Sequence, residues 1–281
     1  MSSLIETPLG YKIFYVTSGD PSGQIVICLH GLGGSTETFA PFVPLLDHSL
    51  YAIRVDFPGF GKSPRPKNRR ISIADHVANL HHLVTSLQAA APQASAAATK
   101  PILLVGHSMG AVVALQYTAA HPGVVGGAFA LGTGRSGSRI PPARKAMLDL
   151  AALVRTEGIN AAATKSQVTN FYADTPERTV PLALKKAVYD AVAASDPEAY
   201  AQSCEAMVAD EHVDPDYGSI KCPVVFVAGD KDMISPVSRS EDLAKLVGGP
   251  TEVQIVRSGH QPILEDIEGV KLALSIFMDK L

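Results

Sequence analysis

Three short apolar runs constrain this chain more than any other feature: Ile25-Val26-Ile27-Cys28-Leu29, Ile102-Leu103-Leu104-Val105 and Val224-Val225-Phe226-Val227. They are brief, rich in β-branched residues, and do not alternate with polar ones. A strand with one solvated face alternates. A strand buried on both faces does not, and such strands belong to parallel sheets covered by helices. Tyr51–Val55, Gly127–Leu131 and Thr251–Val256 read as three more strands, and residues 9–17 as an antiparallel edge element.

Between these runs the period changes to that of a helix. Ser72 and Asp75 form a capping-box pattern, and Ile73, Val77, Leu80, Val84 and Leu87 then recur at 4-3-4-3 spacing. Ile267, Val270, Leu274, Phe277 and Leu281 repeat the pattern near the C-terminus. Strand and helix in alternation imply right-handed βαβ units, hence an α/β fold with helices on both faces of a mostly parallel sheet. Residues 89–98, rich in alanine and carrying Pro92 and Ser95, read as a surface extension. Residues 134–217 carry no strand signal but several helical patterns, among them Met147, Leu150 and Val154 before Gly158, and Leu184, Val188 and Ala191. They are expected to form a helical cap inserted between two strands, leaving 1–133 and 218–281 as the core.

Composition removes several function classes. Lys and Arg total 24 against 27 Asp and Glu, a formal charge of −3, which does not suit a partner bound by phosphate neutralisation. A 46% hydrophobic, 18% charged chain is far from a disordered composition. No apolar run approaches the roughly 18 residues that cross a bilayer. Met1–Glu6 has neither a basic nor an apolar segment of a secretory signal, so the expectation is a soluble, cytoplasmic protein with no membrane partner. Cys28, Cys204 and Cys222 form no CxxC pair, so neither a disulfide framework nor a zinc site is expected.

Gly106-His107-Ser108-Met109-Gly110 stands between an apolar strand and the apolar helical segment 111–120. This is G-x-S-x-G in the strand–turn–helix context its chemistry requires. The serine takes a strained conformation on a sharp turn, its small neighbours let the chain double back, and the helix N-terminus favours developing negative charge. A serine hydroxyl is a weak nucleophile and needs a base. For this elbow the acid and then the histidine follow along the chain. His260 is the only histidine after residue 212 and sits just past the strand 251–256, at the sheet edge where open α/β sheets place their sites. The acid is expected in Gly229-Asp230-Lys231-Asp232. Asp232 is preferred because a carboxylate further into the loop reaches across to His260; Asp230 is the rival. The loop after 127–131 offers only Gly132-Thr133-Gly134-Arg135, without a carboxylate.

His30-Gly31-Leu32-Gly33-Gly34-Ser35 follows the strand 25–29. Glycines there let main chain approach a substrate oxygen, so Leu32 N–H and Met109 N–H are the expected oxyanion donors. The loop is not a dinucleotide fingerprint, because position 36 is Thr where G-x-G-x-x-G needs Gly. Gly61-Lys62-Ser63 is not a Walker A loop: position 56 is Asp and Pro64 interrupts the following helix.

These motifs, together with Asp56-Phe57-Pro58-Gly59-Phe60-Gly61-Lys62-Ser63, resemble the α/β-hydrolase superfamily across nearly the whole chain. Within it the chain is similar to 3-oxoadipate enol-lactonase-like serine hydrolases, through its compact length, Val154–Gly158, and Tyr200–Asp210 leading into Ile220-Lys221-Cys222-Pro223. It departs from them in lacking tryptophan. Phe39 stands where relatives carry one after the oxyanion loop, Phe171-Tyr172 stand in for one in the cap, and Gln261-Pro262 follow the histidine. The resemblance implies hydrolysis of a small-molecule ester or lactone through Ser108, His260 and Asp232, with no metal or cofactor. Arg135 or Arg139 would hold a substrate carboxylate, with Phe171 and Tyr172 in the binding pocket. Amide, thioester or carbon–carbon cleavage, or a low-turnover ligand receptor, are the alternatives the same triad permits. Oligomeric state is not legible.

Overall fold

The computed structural model describes residues 1–281. Eight strands form one sheet: β1 (Ser2–Glu6), β2 (Lys12–Gly19), β3 (Ile25–Leu29), β4 (Tyr51–Val55), β5 (Ile102–His107), β6 (Val125–Leu131), β7 (Val224–Gly229) and β8 (Thr251–Val256). Their order is β1-β2-β4-β3-β5-β6-β7-β8. β2 pairs antiparallel with β1 and β4, and every pairing from β4 onward is parallel.

The apolar runs do what their lack of alternation demands. In β3, Ile25, Ile27 and Leu29 enter a core on one face, while Val26 and Cys28 enter the core on the other. In β5, Ile102 and Leu104 divide from Leu103 and Val105 in the same way. Helices α1 (Ile73–Ala90), α2 (Ala96–Thr99) and α3 (Met109–Ala120) lie between β4 and β6. Ser72 accepts from Asp75 N–H at 3.0 Å and caps α1, whose Ile73, Leu80 and Val84 are buried. α8 (Val237–Leu246), α9 (Pro262–Glu265) and α10 (Ile267–Met278) follow β7 and β8, and Val270, Leu274 and Phe277 of α10 complete the second core.

Between β6 and β7 stand α4 (Pro141–Glu157), α5 (Ile159–Thr169), α6 (Leu182–Ala193) and α7 (Pro197–Val208). Leu150 and Val154 of α4, Ala162 of α5, and Tyr200 and Cys204 of α7 are continuous with the main core. Asp196 ties this insertion to the strand layer, pairing with Arg65 at 2.9 Å and donating its N–H to Gly59 O at 2.9 Å.

Two details differ from the sequence reading. β1 exists although Ser2-Ser3-Leu4-Ile5-Glu6 lacks a buried pattern; it is an exposed edge held by main-chain pairing to β2. Residues 89–98 are more ordered than a plain extension, because Ser95 caps the single turn of α2 and Ala97 is buried.

Candidate active site

The end of β5 delivers Ser108 into a conformation that L-residues avoid, with φ 52° and ψ −116°. Gly106 and Gly110 make that turn possible. A Cβ on Gly106 would lie 2.5 Å from Ala111 Cα, and one on Gly110 would strike the carbonyl of Leu29. The turn leads directly into α3, so Ser108 stands at a helix N-terminus, where the field of the aligned peptides favours negative charge. Ser108 is half-buried, and its side chain caps nothing.

Two long loops bring partners to it. His260 Nε2 lies 2.9 Å from Ser108 Oγ, and His260 Nδ1 lies 2.7 Å from Asp232 Oδ2. The second carboxylate oxygen, Oδ1, accepts from Ile234 N–H and Ser235 N–H, both at 2.8 Å. Burial pushes the Asp232 carboxyl up, but the adjoining imidazole and these two amides outweigh it and hold it below the usual carboxylate range. Since Asp232 accepts at Nδ1, that nitrogen carries a proton, and Nε2 faces the serine hydroxyl. Gly132, at the end of β6, leaves room for the imidazole: a Cβ there would come within 3.2 Å of the His260 ring.

Asp230, the rival acid, faces elsewhere. Its two oxygens lie 2.8 and 2.7 Å from Arg178 Nη1, outside the serine relay.

The glycine loop after β3 runs beside the serine, with a Cβ on Gly31 falling 3.0 Å from Ser108 Cβ. None of the loop hydrogen bonds uses the N–H of Leu32 or Met109, which leaves both amides available as donors. His30 braces this loop. Its Nε2 accepts from Phe57 N–H at 3.0 Å, so Nδ1 carries the proton and donates to Gly31 O at 2.7 Å. Burial drives its pKa down and keeps it neutral. His107, beside the serine, donates from Nε2 to His260 O at 2.7 Å; burial, reinforced by His260, lowers its pKa to about 3.

A cleft of about 170 Å³ opens along the glycine loop, bordered by Leu32, His107, Asn170, Val188, Val192 and Gln261. No Lys or Arg lines it. The cleft adjoins the relay through His107 and Gln261, the chain neighbours of Ser108 and His260; neither it nor a larger groove of about 550 Å³, among Arg70, Arg144, Glu205 and Asp210, is lined by the three relay residues themselves. The expected substrate contacts fare differently from the relay. Arg135 is committed to Asp214, with Nε 2.7 Å from its Oδ2, and Asp214 is held in turn by Ser136 N–H and Tyr217 OH. Arg139 is exposed. Phe171 is buried against Val180 and Val188, and the ring of Tyr172 lies under Arg178, 4.1 Å from ring centroid to guanidinium. Neither arginine borders the cleft, and neither do the two aromatics.

Sequence reasoning missed Asn170 and Glu265. Asn170 O accepts from His260 N–H at 2.8 Å, and Glu265 accepts from the amides on either side. The cysteines are unpaired, and no group of three or more His, Cys, Asp or Glu is arranged to hold a metal ion. No helix is long and apolar enough to cross a membrane.

Comparison with known proteins agrees with the fold. The model of the alpha/beta hydrolase family matches residues 26–270. The chain belongs to that family. Among curated proteins it is 34% identical over 108 residues to a "Serine hydrolase-like protein" of Danio rerio, and 33% identical over 113 residues to "Monoacylglycerol lipase abhd6-B" of Xenopus laevis. These matches cover 38% and 40% of the chain but only 30% and 31% of the relatives. Solved structures match end to end. A thermophilic esterase from Thermogutta terrifontis superposes with TM-score 0.82 at 22% identity, covering 100% of this chain and 98% of that one. The enol-lactonase from Burkholderia xenovorans LB400 gives TM-score 0.83 at 21% identity, covering 99% and 100%. At such identities the shared property is the fold.

Proposed function

We propose that the protein hydrolyses carboxylic esters or lactones through an acyl-enzyme on Ser108. The observation that carries this reading is the relay from Ser108 Oγ through His260 to Asp232, at 2.9 and 2.7 Å. Ser108 Oγ attacks the carbonyl carbon as His260 Nε2 takes its proton. Asp232 holds the imidazole in the required tautomer and stabilises the imidazolium. The carbonyl oxygen becomes an oxyanion between Leu32 N–H and Met109 N–H, each such donor being worth about 2.7–4 kcal/mol to the transition state. The imidazolium returns its proton to the departing alcohol. Water, deprotonated by His260, then attacks the acyl-enzyme and releases the acid and Ser108.

Residues 134–217 act as a cap over the site, and α6 supplies one wall of the cleft through Val188 and Val192. The lining supports an uncharged substrate with a small acyl group. Arg135 is neutralised by Asp214 and no cation borders the cleft, so a carboxylate-bearing lactone would enter without a counter-ion. Steady-state kcat/KM on p-nitrophenyl esters of increasing acyl length, uncharged lactones and 3-oxoadipate enol-lactone tests this. Short uncharged esters or lactones are expected to turn over fastest. Preference for the charged enol-lactone would overturn the assignment of substrate charge, and no turnover of any ester or lactone would overturn the reaction.

A further inference from the structure

The histidine loop is held in an unusual way. Gly259, His260 and Gln261 present three consecutive N–H groups, and no strand partner takes them. Gly259 N–H donates to Glu265 Oε1 at 2.9 Å and Gln261 N–H to the same oxygen at 3.2 Å. The N–H between them, that of His260, goes to Asn170 O at 2.8 Å. The loop is wedged between these two acceptors: a Cβ on Gly259 would meet Asn170 O at 2.8 Å and Glu265 Oε1 at 3.3 Å. One carboxylate oxygen thus fixes the peptide on each side of the imidazole. Its other oxygen, Oε2, is buried without a hydrogen-bond partner, as is Nη2 of Arg178. Leaving a carboxyl oxygen buried and unpaired costs stability, a cost set against the two amides that Oε1 holds.

We propose that Glu265 is a positioning residue for His260, its carboxylate setting the backbone that aims Nε2 at Ser108 Oγ. This rests on the reading of His260 as the base of an ester hydrolase. Glu265 touches neither substrate nor reacting atoms, and it acts through the two flanking amides. The effect therefore appears in the chemical step and not in substrate binding. Misplacing a catalytic group by about 1 Å can cost 10²-fold in rate.

Three variants separate positioning from simple support. Glu265→Gln keeps an acceptor oxygen at the same reach. Glu265→Asp withdraws the carboxylate by one methylene, so it cannot span both amides. Glu265→Ala removes it. Turnover of a p-nitrophenyl ester is measured per folded molecule. Glu265→Asp and Glu265→Ala are expected to lower kcat by about 10- to 100-fold with KM changed less than about threefold, while Glu265→Gln stays within about threefold of wild type. The low-field proton resonance of His260 Nδ1–H, bonded to Asp232, should persist in Glu265→Gln and shift or broaden in the other two. If Glu265→Ala does not fold, the pair Glu265→Gln and Glu265→Asp carries the test. Wild-type kcat and an unmoved resonance in Glu265→Asp would overturn the proposal. So would a purely thermal defect with kcat per folded molecule unchanged. Ser108→Ala, run alongside, tells the two readings apart. If it is inactive while the Glu265 variants are fully active, only the role of Glu265 fails; if it also retains turnover, the nucleophile assignment fails.

Discussion

Replacing Asp232 by Asn should leave the fold in place and remove nearly all turnover, for a reason visible in three hydrogen bonds. Oδ1 of Asp232 receives two main-chain N–H groups, from Ile234 and Ser235, both at 2.8 Å. In Asp232→Asn those donors demand the carbonyl oxygen of the new side chain at that position. The amide NH2 then occupies the place of Oδ2, 2.7 Å from His260 Nδ1. An NH2 group only donates, so Nδ1 must become the acceptor and the ring proton moves to Nε2. Nε2 faces Ser108 Oγ at 2.9 Å and, protonated, no longer takes the serine's proton. A tautomer fixed the wrong way costs roughly 10⁴ in kcat, about 5.4 kcal/mol of transition-state stabilisation. Asp230→Asn is the control. It weakens the ion pair to Arg178, whose guanidinium is largely buried, so it stands to cost stability but no chemistry. The assay is kcat on a short p-nitrophenyl ester, with thermal unfolding followed by circular dichroism. Asp230→Asn losing as much activity as Asp232→Asn, or Asp232→Asn remaining within about tenfold of wild type, would refute the tautomer argument.

Gly110→Ala drives a methyl into the Leu29 carbonyl of the central strand and should cost about 3 kcal/mol or more, read as a shift in the urea midpoint. Gly123→Ala, at φ 82° with open space around it, should cost only about 1–2 kcal/mol; equal losses would contradict the steric account. Acid should destabilise the fold through His76 and His107, whose pKa values burial lowers to about 3. The unfolded chain binds these protons below about 6.5 and the folded protein refuses them, so stability falls as pH drops from about 6.5 to about 3. The slope is about 1.4 kcal/mol per pH unit for each histidine. Because His30 and His212 are also held down by burial, His76→Leu should lower the slope by about 1.4 kcal/mol per pH unit without abolishing it in pH-resolved urea titrations, and an unchanged slope would count against it.

Much of the architecture was legible because burial on both faces writes itself into the chain. Ile25–Leu29 and Ile102–Val105 could not alternate, since consecutive side chains enter opposite cores. The elbow was legible because a strained serine forces glycine at 106 and 110. Asp232 was preferred over Asp230 by reach along the loop; in the structure Asp232 meets His260 while Asp230 meets Arg178. β1 was not legible: an edge strand with exposed side chains is specified by main-chain pairing to Lys12–Val16, which leaves no pattern. The expected roles of Arg135 and Phe171 fared less well. Arg135 meets Asp214, 79 residues later, and Phe171 packs on Val180 and Val188. Such partners are set by how the inserted helices fold back. Glu265 escaped notice because a carboxylate at the end of a short helix reads as ordinary surface until its two amide donors are seen.

The most direct measurement is the site of covalent modification by a fluorophosphonate ester, which reacts only with an activated serine. Peptide mass mapping should place a single adduct on Ser108, formed slowly or not at all in His260→Ala and absent in Ser108→Ala. An adduct on another serine, or undiminished ester hydrolysis by Ser108→Ala, would contradict the claim that His260 activates Ser108.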